Sequence, residues 1–307
     1  MFSARHSLEY THLMTSADYT DMDNMQNIQW FPGHMAKTRK KITESLNLVD
    51  AVVEIVDARI PFSSRNPELQ NIINNKPRLI VMNKSDLASD KANAKWINHF
   101  KNNMVPALLV DCKSGKGINN FKATIRSVLA DKLEYYKSKG MVGKKLRIMI
   151  VGIPNVGKSS FINKLCQNTR AKVEDRPGVT RGNQWYSVDS EIELLDTPGV
   201  LWPKFEDPKV GERLAFCGSV KDEIIDTELL GMRLAEVLGR YYPETLSMRY
   251  KIDNCDLEPY DLLCAIGKAR GMVMRGGEIN TERAAIMLLD EFRGGKLGKI
   301  TLEFPEE

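Results

Sequence analysis

One stretch of this chain decides its fold: Gly152-Ile153-Pro154-Asn155-Val156-Gly157-Lys158-Ser159. It follows a short apolar run, Leu146–Val151, and leads into a helix-like pattern over Ser159–Leu165. A strand, a glycine-rich turn and a helix N-terminus form an anion cradle, because unpaired backbone N–H groups point at phosphate oxygens. Lys158 would add positive charge there, and the Ser159 hydroxyl could bind magnesium. The stretch therefore predicts a phosphate-binding loop.

A second motif, Asn83-Lys84-Ser85-Asp86, predicts which base is bound. It ends another apolar run, Leu79–Met82, which is typical of a buried strand. A carboxylate placed like Asp86 accepts hydrogen bonds from guanine N1–H and the exocyclic amine, and adenine has neither donor there. Sites of this kind reject the wrong partner by roughly 10⁴–10⁵-fold. With Lys84 expected over the base plane, the motif indicates GTP rather than ATP.

The third motif, Asp196-Thr197-Pro198-Gly199, completes a nucleotide site. We expect Asp196 to reach magnesium through water and the Gly199 amide to contact the γ-phosphate. Thr180, in Pro177-Gly178-Val179-Thr180, is the candidate switch threonine that joins magnesium only in the GTP state; simple turn chemistry is the alternative. The expected magnesium ligands are therefore Ser159, Thr180 and Asp196.

The segment Asp111–Gly115 occupies the slot of the weak motif that backs the guanine. Asp and Cys replace the usual Ser-Ala, so we expect base contacts there to come from the backbone. The residues predicted to bind GTP are Asn83, Lys84, Asp86, Cys112, Lys113, Asn155, Val156, Gly157, Lys158, Ser159, Ser160 and Gly199.

The order of these motifs predicts the architecture. The base reader precedes the phosphate loop, whereas an ordinary small GTPase has the reverse order, so the chain is circularly permuted. Strands that alternate with helices predict a doubly wound, mostly parallel α/β sheet over 25–205. Apolar residues at helical spacing predict a small all-helical domain over 206–307, and 1–24 is expected to be a disordered extension.

Composition excludes several classes of protein. The chain has 307 residues, a net charge of +4 and five cysteines without a CxxC pair, so neither a zinc site nor a disulfide framework is predicted. No apolar run approaches the roughly 20 residues that cross a bilayer. We expect a cytoplasmic monomer without a membrane partner.

Two positions bear on how the bound nucleotide would be hydrolysed. Val200 follows Gly199 where many GTPases carry a water-orienting glutamine, so hydrolysis by the protein alone should be slow. His34 could accept a hydrogen bond from the attacking water if Pro32 and Gly33 bend the chain sharply. An RNA contact or a helix cap is the other reading of His34. The predicted catalytic residues are His34, Thr180 and Lys158.

Two stretches, Trp30–Ala36 and Asp57-Ala58-Arg59-Ile60-Pro61, together with the permuted order and the helical tail, resemble the bacterial ribosome biogenesis GTPase A family. The resemblance covers roughly 28–307. It implies late assembly of the large ribosomal subunit, with GTP hydrolysis licensing release and the helical domain contacting RNA. It also suggests that Asn155 serves a potassium ion, although a turn residue that satisfies local backbone explains Asn155 equally well.

The resemblance implies rRNA and ribosomal protein as partners, and hydrolysis stimulated by the ribosomal subunit. A GTP-dependent regulatory switch with a protein effector, or a tRNA-modification GTPase, is the alternative. The basic residues expected to face RNA are Lys37–Lys41, Lys268, Arg270, Arg275, Arg283, Arg293, Lys296 and Lys299.

Overall fold

The computed structural model describes residues 32–305 except 74–75, 142, 167–172, 175–183, 200, 203–204, 206, 221 and 223–224, with side chains also left undescribed at 32–38, 70 and 173–174. The predicted extension 1–24, Thr180 and Val200 lie outside the described residues. The chain divides into two compact units: Met1–Lys204 with Thr301–Glu307, and Phe205–Ile300.

The described part of the first unit contains one seven-stranded sheet. Its strands are β1 (Ala51–Asp57), β2 (Arg78–Asn83), β3 (Ala107–Leu109), β4 (Leu146–Val151), β5 (Val173–Glu174), β6 (Gln184–Ser187) and β7 (Ile192–Asp196). The order across the sheet is β3-β2-β1-β4-β7-β6-β5. All neighbours from β3 to β7 pair in parallel, whereas β6 is antiparallel to β7 and β5. The predicted mostly parallel α/β fold is confirmed.

Helices of the first unit connect these strands: α1 (Pro32–Leu46), α2 (Pro67–Ile73), α3 (Asp90–Asn102), α4 (Phe121–Val128), α5 (Ala130–Ser138) and α6 (Lys158–Cys166). The sharp bend predicted at Pro32 and Gly33 is wrong, because α1 already begins at Pro32. Proline suits the first helical turn, where its missing N–H would have no intrahelical partner. No described helix is long and apolar enough to cross a membrane.

The core of the first unit lies between the sheet and these helices. Every residue of β1 is buried, as expected for a central parallel strand covered on both faces. One apolar cluster joins Ile42 of α1 to Val52 and Met149 of the sheet. A second cluster packs Trp96 of α3 against Ile80 and Met82 of β2. Both clusters pack helices against the strands that carry the motifs.

The second unit is helical: α7 (Pro208–Phe216), α8 (Thr227–Tyr241), α9 (Pro243–Tyr250), α10 (Pro259–Ala269) and α11 (Thr281–Arg293). Gly231 permits a close approach of α8 to α11, because a Cβ there would lie 2.3 Å from Ala285 Cβ. Arg293, predicted to face RNA, instead caps α7: its Nη2 donates to Ala215 O at 2.8 Å and its Nε to Phe216 O at 3.0 Å.

The C-terminal segment belongs to the first unit, so the predicted helical domain 206–307 is too long at its end. Leu302 N–H donates to Arg59 O at 2.9 Å, and the Phe62 N–H donates to the Glu303 carboxylate at 2.8 Å. Trp96 Nε1 donates to Glu303 O at 2.9 Å. Thr301–Glu303 therefore fastens the loop that follows β1.

Candidate nucleotide site

The sequence motifs meet at one edge of the sheet. Parallel strands end at the same edge, and the register sets Asp57 of β1 beside Asn83 of β2. On the other side of β1, Ile150 of β4 pairs with Asp196 of β7. The phosphate loop, the base reader and the third motif therefore all leave the sheet at its carboxyl end. Ligands of open α/β sheets bind at this place.

The phosphate loop folds tightly because two of its glycines have no room for a side chain. Gly152 has φ +148°, and a Cβ there would lie 2.5 Å from Ile55 O in β1. Gly157 has φ +98°, and its Cβ would lie 2.2 Å from Asn83 Nδ2. Asn155 also has a positive φ, +61°, which asparagine tolerates better than most residues. The loop consequently lies directly against the base reader.

Asn83 bridges two of the loops. Its Nδ2 donates to Val156 O in the phosphate loop at 2.8 Å, and its Oδ1 accepts from Cys112 N–H at 3.2 Å. The side chain is 3% exposed, so both hydrogen bonds lie in a low-dielectric environment where they are strong. The structure thus brings together the two motifs that the sequence assigns to phosphate and base.

The segment Asp111–Gly115 is braced by its own carboxylate. Asp111 Oδ1 accepts from Lys113 N–H at 2.8 Å and from Ser114 N–H at 3.3 Å, and the Ser114 hydroxyl donates to Oδ2. Burial, with the nearby Asp111 charge, raises the pKa of the Cys112 thiol to about 12, so the thiol stays protonated at neutral pH. Several backbone donors of this turn are already used within the protein.

The ammonium group of Lys84 is held by a buried carboxylate. Its Nζ lies 2.9 Å from Asp57 Oδ2, a contact that the sequence motif does not reveal. Lys84 also has φ +58°, in the left-handed region that non-glycine residues seldom adopt. Asp86, the predicted guanine reader, follows two residues later and is exposed.

Lys158 begins α6 and is buried, and no ion pair joins it to a carboxylate of the described residues. Its Nζ donates to Ile153 O at 2.8 Å. Burial lowers the pKa of Lys158 to about 8, although the Asp196 charge acts in the opposite direction. A Cβ at Gly199 would lie 2.7 Å from Lys158 Nζ, so the third motif borders the same ammonium.

Asp196 carries a buried carboxylate oxygen that is able to accept a hydrogen bond. Its Oδ1 has no hydrogen-bond partner among the described residues. Burial raises the pKa of Asp196, and the Lys158 charge only partly offsets this effect. Ser159, predicted to bind the same magnesium ion, is exposed at the start of α6. An orphaned carboxylate oxygen next to a phosphate loop fits a water-coordinated magnesium ion.

Three predicted residues remain: His34, Lys113 and Ser160. His34 lies in the first turn of α1, and its side chain is outside the described part. Lys113 and Ser160 are exposed. Sequence reasoning missed Asp57 as a partner of Lys84. The parallel register of β1 with β2, which follows from their being consecutive buried strands, could have suggested that contact.

Comparisons with known proteins agree with this geometry. The family model described as "50S ribosome-binding GTPase" matches residues 147–232. Ribosome biogenesis GTPase A of Bacillus cereus is 47% identical over 280 residues, which cover 91% of this chain and 95% of the relative. Mitochondrial ribosome-associated GTPase 1 of Mus musculus is 35% identical, with 90% of each chain covered.

Solved structures resemble the fold as well. The GDP-bound structure of Thermotoga maritima YlqF has a TM-score of 0.62 and 28% identity, and the match covers 87% of this chain and all of that one. The GNP-bound form of YlqF gives 0.61 and 27%, covering 88% of this chain. These matches, together with the permuted motif order, confirm the resemblance. The protein is a circularly permuted GTPase, and it belongs to the ribosome biogenesis GTPase A family.

Proposed function

We propose that this GTPase assembles the large ribosomal subunit, binding the immature subunit in its GTP state and leaving after hydrolysis. The observation that carries the proposal is the meeting of Asn83, Val156 and Cys112 at the edge of the sheet, in a chain whose relatives over 91% of its length are named ribosome biogenesis GTPases. The helical unit after the third motif supplies a second surface for such a partner.

In this proposal the three motifs at the carboxyl edge of the sheet bind GTP. Lys158 neutralises the β- and γ-phosphates, and Asp86 reads the guanine. GTPases of this kind use magnesium, and Ser159, Thr180 and Asp196 would hold it, with the orphaned Asp196 Oδ1 supporting the fit. Bound magnesium would neutralise charge that develops on the phosphate oxygens.

Two groups are proposed to compensate for Val200, which cannot orient water. Asn155 would hold a potassium ion near the phosphates, where the ion adds the positive charge that an arginine finger supplies elsewhere. His34 would orient the attacking water once the protein is docked on the subunit. Hydrolysis would then be slow in the free protein and fast on the ribosome.

The RNA contact is proposed for exposed basic residues of the second unit. Two of the arginines expected there already contact other groups of the protein. Arg293 caps α7, and Arg270 lies 5.1 Å from the Tyr250 ring centroid with Nη2 3.6 Å from Glu291 Oε1. Arg270 is itself exposed, and so are the other basic residues predicted to face RNA in this unit, which are Lys268, Arg275, Arg283, Lys296 and Lys299. Phosphate contacts by such side chains make binding fall steeply with salt.

The decisive experiment is co-sedimentation with immature large subunits. We expect binding with a non-hydrolysable GTP analogue, little binding with GDP, and loss of binding as salt rises. The variant Arg275→Ala/Arg283→Ala should weaken binding, whereas Lys91→Ala, an equal change of surface charge per residue on the first unit, should not. Equal binding in both nucleotide states, or none at all, would favour a regulatory switch that acts on a protein effector.

A further inference from the structure

Asp57 closes β1 at the point where the base reader begins. Its side chain is completely buried, and the β1–β2 register sets it beside Asn83 at the end of β2. Lys84 is the residue that follows Asn83. A buried carboxylate has a large desolvation cost unless charges or hydrogen bonds compensate it. The groups that compensate the charge of Asp57 therefore indicate the role of its carboxylate.

Two cations share the Asp57 carboxylate. Arg59 donates through Nε to Oδ1 at 3.0 Å and through Nη2 to Oδ2 at 2.8 Å, and Lys84 Nζ lies 2.9 Å from Oδ2. Burial acts to raise the pKa of Asp57, but Arg59 and Lys84 outweigh it and hold the pKa well below its usual range. The group is therefore a fixed anion at neutral pH.

The two cations differ in freedom. The Arg59 side chain is 1% exposed, and that of Lys84 is 25% exposed. Arg59 thus forms the rigid base of the cluster, with its carbonyl also accepting Leu302 N–H at 2.9 Å. Lys84 is the part that reaches the surface of the site. Its backbone is fixed as well, because Leu87 N–H donates to Lys84 O at 2.9 Å.

We propose that Asp57 is a positioning residue for guanine recognition: it anchors Lys84 Nζ so that the aliphatic stem of Lys84 is ordered before the base arrives. The inference rests on the proposed role of Lys84 in the GTP site. A lysine without this anchor would have to lose its rotamer freedom when nucleotide binds, which corresponds to roughly tenfold to thirtyfold in affinity.

The test compares two ligands of the full-length protein by titration calorimetry. GDP uses the base site and the phosphate loop, and pyrophosphate uses the phosphate loop alone. We expect Asp57→Asn to weaken GDP about tenfold and pyrophosphate less than twofold. In the Lys84→Met background, Asp57→Asn should have no further effect on GDP, because the group it positions has gone.

Glu54→Gln is the matched control. Glu54 is also completely buried in β1 and pairs with an arginine, Arg65 Nε at 3.2 Å, but it does not touch Lys84. GDP affinity in Glu54→Gln should equal that of the wild type. If Asp57→Asn fails to fold because Arg59 is left unpaired, Asp57→Asn/Arg59→Gln removes both charges and takes its place.

Each outcome decides the inference. Equal losses for GDP and pyrophosphate, an unchanged GDP affinity, or the same loss in the Lys84→Met background would each overturn the positioning role and leave Asp57 a structural residue. Failure of the wild-type protein to bind GDP would instead overturn the proposed nucleotide site, which is a separate result.

Discussion

The two halves of the nucleotide site differ in how completely their polar groups are satisfied. On the base side, Asn83 joins Val156 to Cys112, and Asp111 braces its own turn. On the phosphate side, Lys158 donates to a carbonyl, and Asp196 Oδ1 has no hydrogen-bond partner among the described residues. The polar groups of the base side bond to one another, whereas the phosphate side holds a buried carboxylate oxygen that has no partner among the described residues.

This difference indicates how binding free energy is divided. A preorganised base pocket loses little entropy on binding, so it is suited to selecting guanine. Burying charge has a desolvation cost, and phosphate with magnesium would offset that cost on the phosphate side. Substitutions on the two sides should therefore have different effects. Those on the base side should change which nucleotide binds, and those on the phosphate side should change whether it binds and is hydrolysed.

Lys158→Met should have the largest effect. It removes the cation proposed to face the phosphates, so we expect GTP hydrolysis to fall at least about a thousandfold. It also removes a buried charge, so the melting temperature of the nucleotide-free protein should stay equal or rise. Lys122→Met, which removes a half-exposed lysine paired with Asp189, is the control and should leave hydrolysis unchanged. A large drop in melting temperature would show that Lys158 stabilises the fold.

Asp86→Asn tests the base side. The amide can no longer accept both guanine donors, so GTP should bind at least about a hundredfold more weakly, and xanthosine triphosphate should bind better. Competition binding measures both affinities. Hydrolysis at saturating xanthosine triphosphate should match the wild-type rate with GTP, because the phosphate side is untouched. Unchanged GTP affinity would contradict the assignment of Asp86.

His34→Ala tests what completes the phosphate side on the ribosome. Single-turnover hydrolysis with and without subunits should show that the variant loses about a hundredfold of the stimulation while still co-sedimenting. Full stimulation in the variant would exclude the catalytic role. Loss of co-sedimentation would make His34 a contact to RNA and leave hydrolysis to the ribosome or to potassium.

The potassium prediction should have a smaller effect. Potassium in place of sodium should raise the hydrolysis rate of the free protein by about tenfold, since one added cation strengthens charge stabilisation that magnesium and Lys158 already supply. Asn155→Ala should remove the difference between the two salts while GDP affinity stays the same. Equal rates in both salts for the wild type would rule out the potassium site.

The sequence predicted those features of the nucleotide site that local patterns encode. The glycine turn at Gly152–Ser159, the base reader and their permuted order are contiguous motifs, and the apolar runs before them predicted the parallel strands. Within the predicted helical domain, Asp207 before Pro208 is a local start signal for α7, and its carboxylate accepts from Lys209 N–H at 2.9 Å.

What the sequence did not predict depends on distant parts of the chain. The Asp57–Lys84 pair needs the β1–β2 register, and Glu303 contacts Ser63 across 240 residues. Apolar residues at helical spacing run from Phe121 to Leu133, but the structure divides this segment at Leu129 into two helices, α4 and α5. Propensity alone carries no information about such tertiary choices.

The smallest expected effect concerns protons, and it probes the contrast between the two sides without any substitution. Burial holds the pKa of Lys158 at about 8. Bound phosphate would favour the charged ammonium and raise that pKa, so GDP binding should take up more of a proton at pH 8.5 than at pH 7.5, above the range in which the terminal phosphate of GDP titrates. GDP affinity should accordingly fall modestly as the pH rises through 8. Calorimetry in two buffers with different ionisation enthalpies measures the uptake.

Asp86→Asn with xanthosine diphosphate at saturation should show the same uptake, since its change lies on the base side. Proton release, or uptake that is independent of pH, would mean that the phosphate side does not hold a desolvated cation before the nucleotide binds.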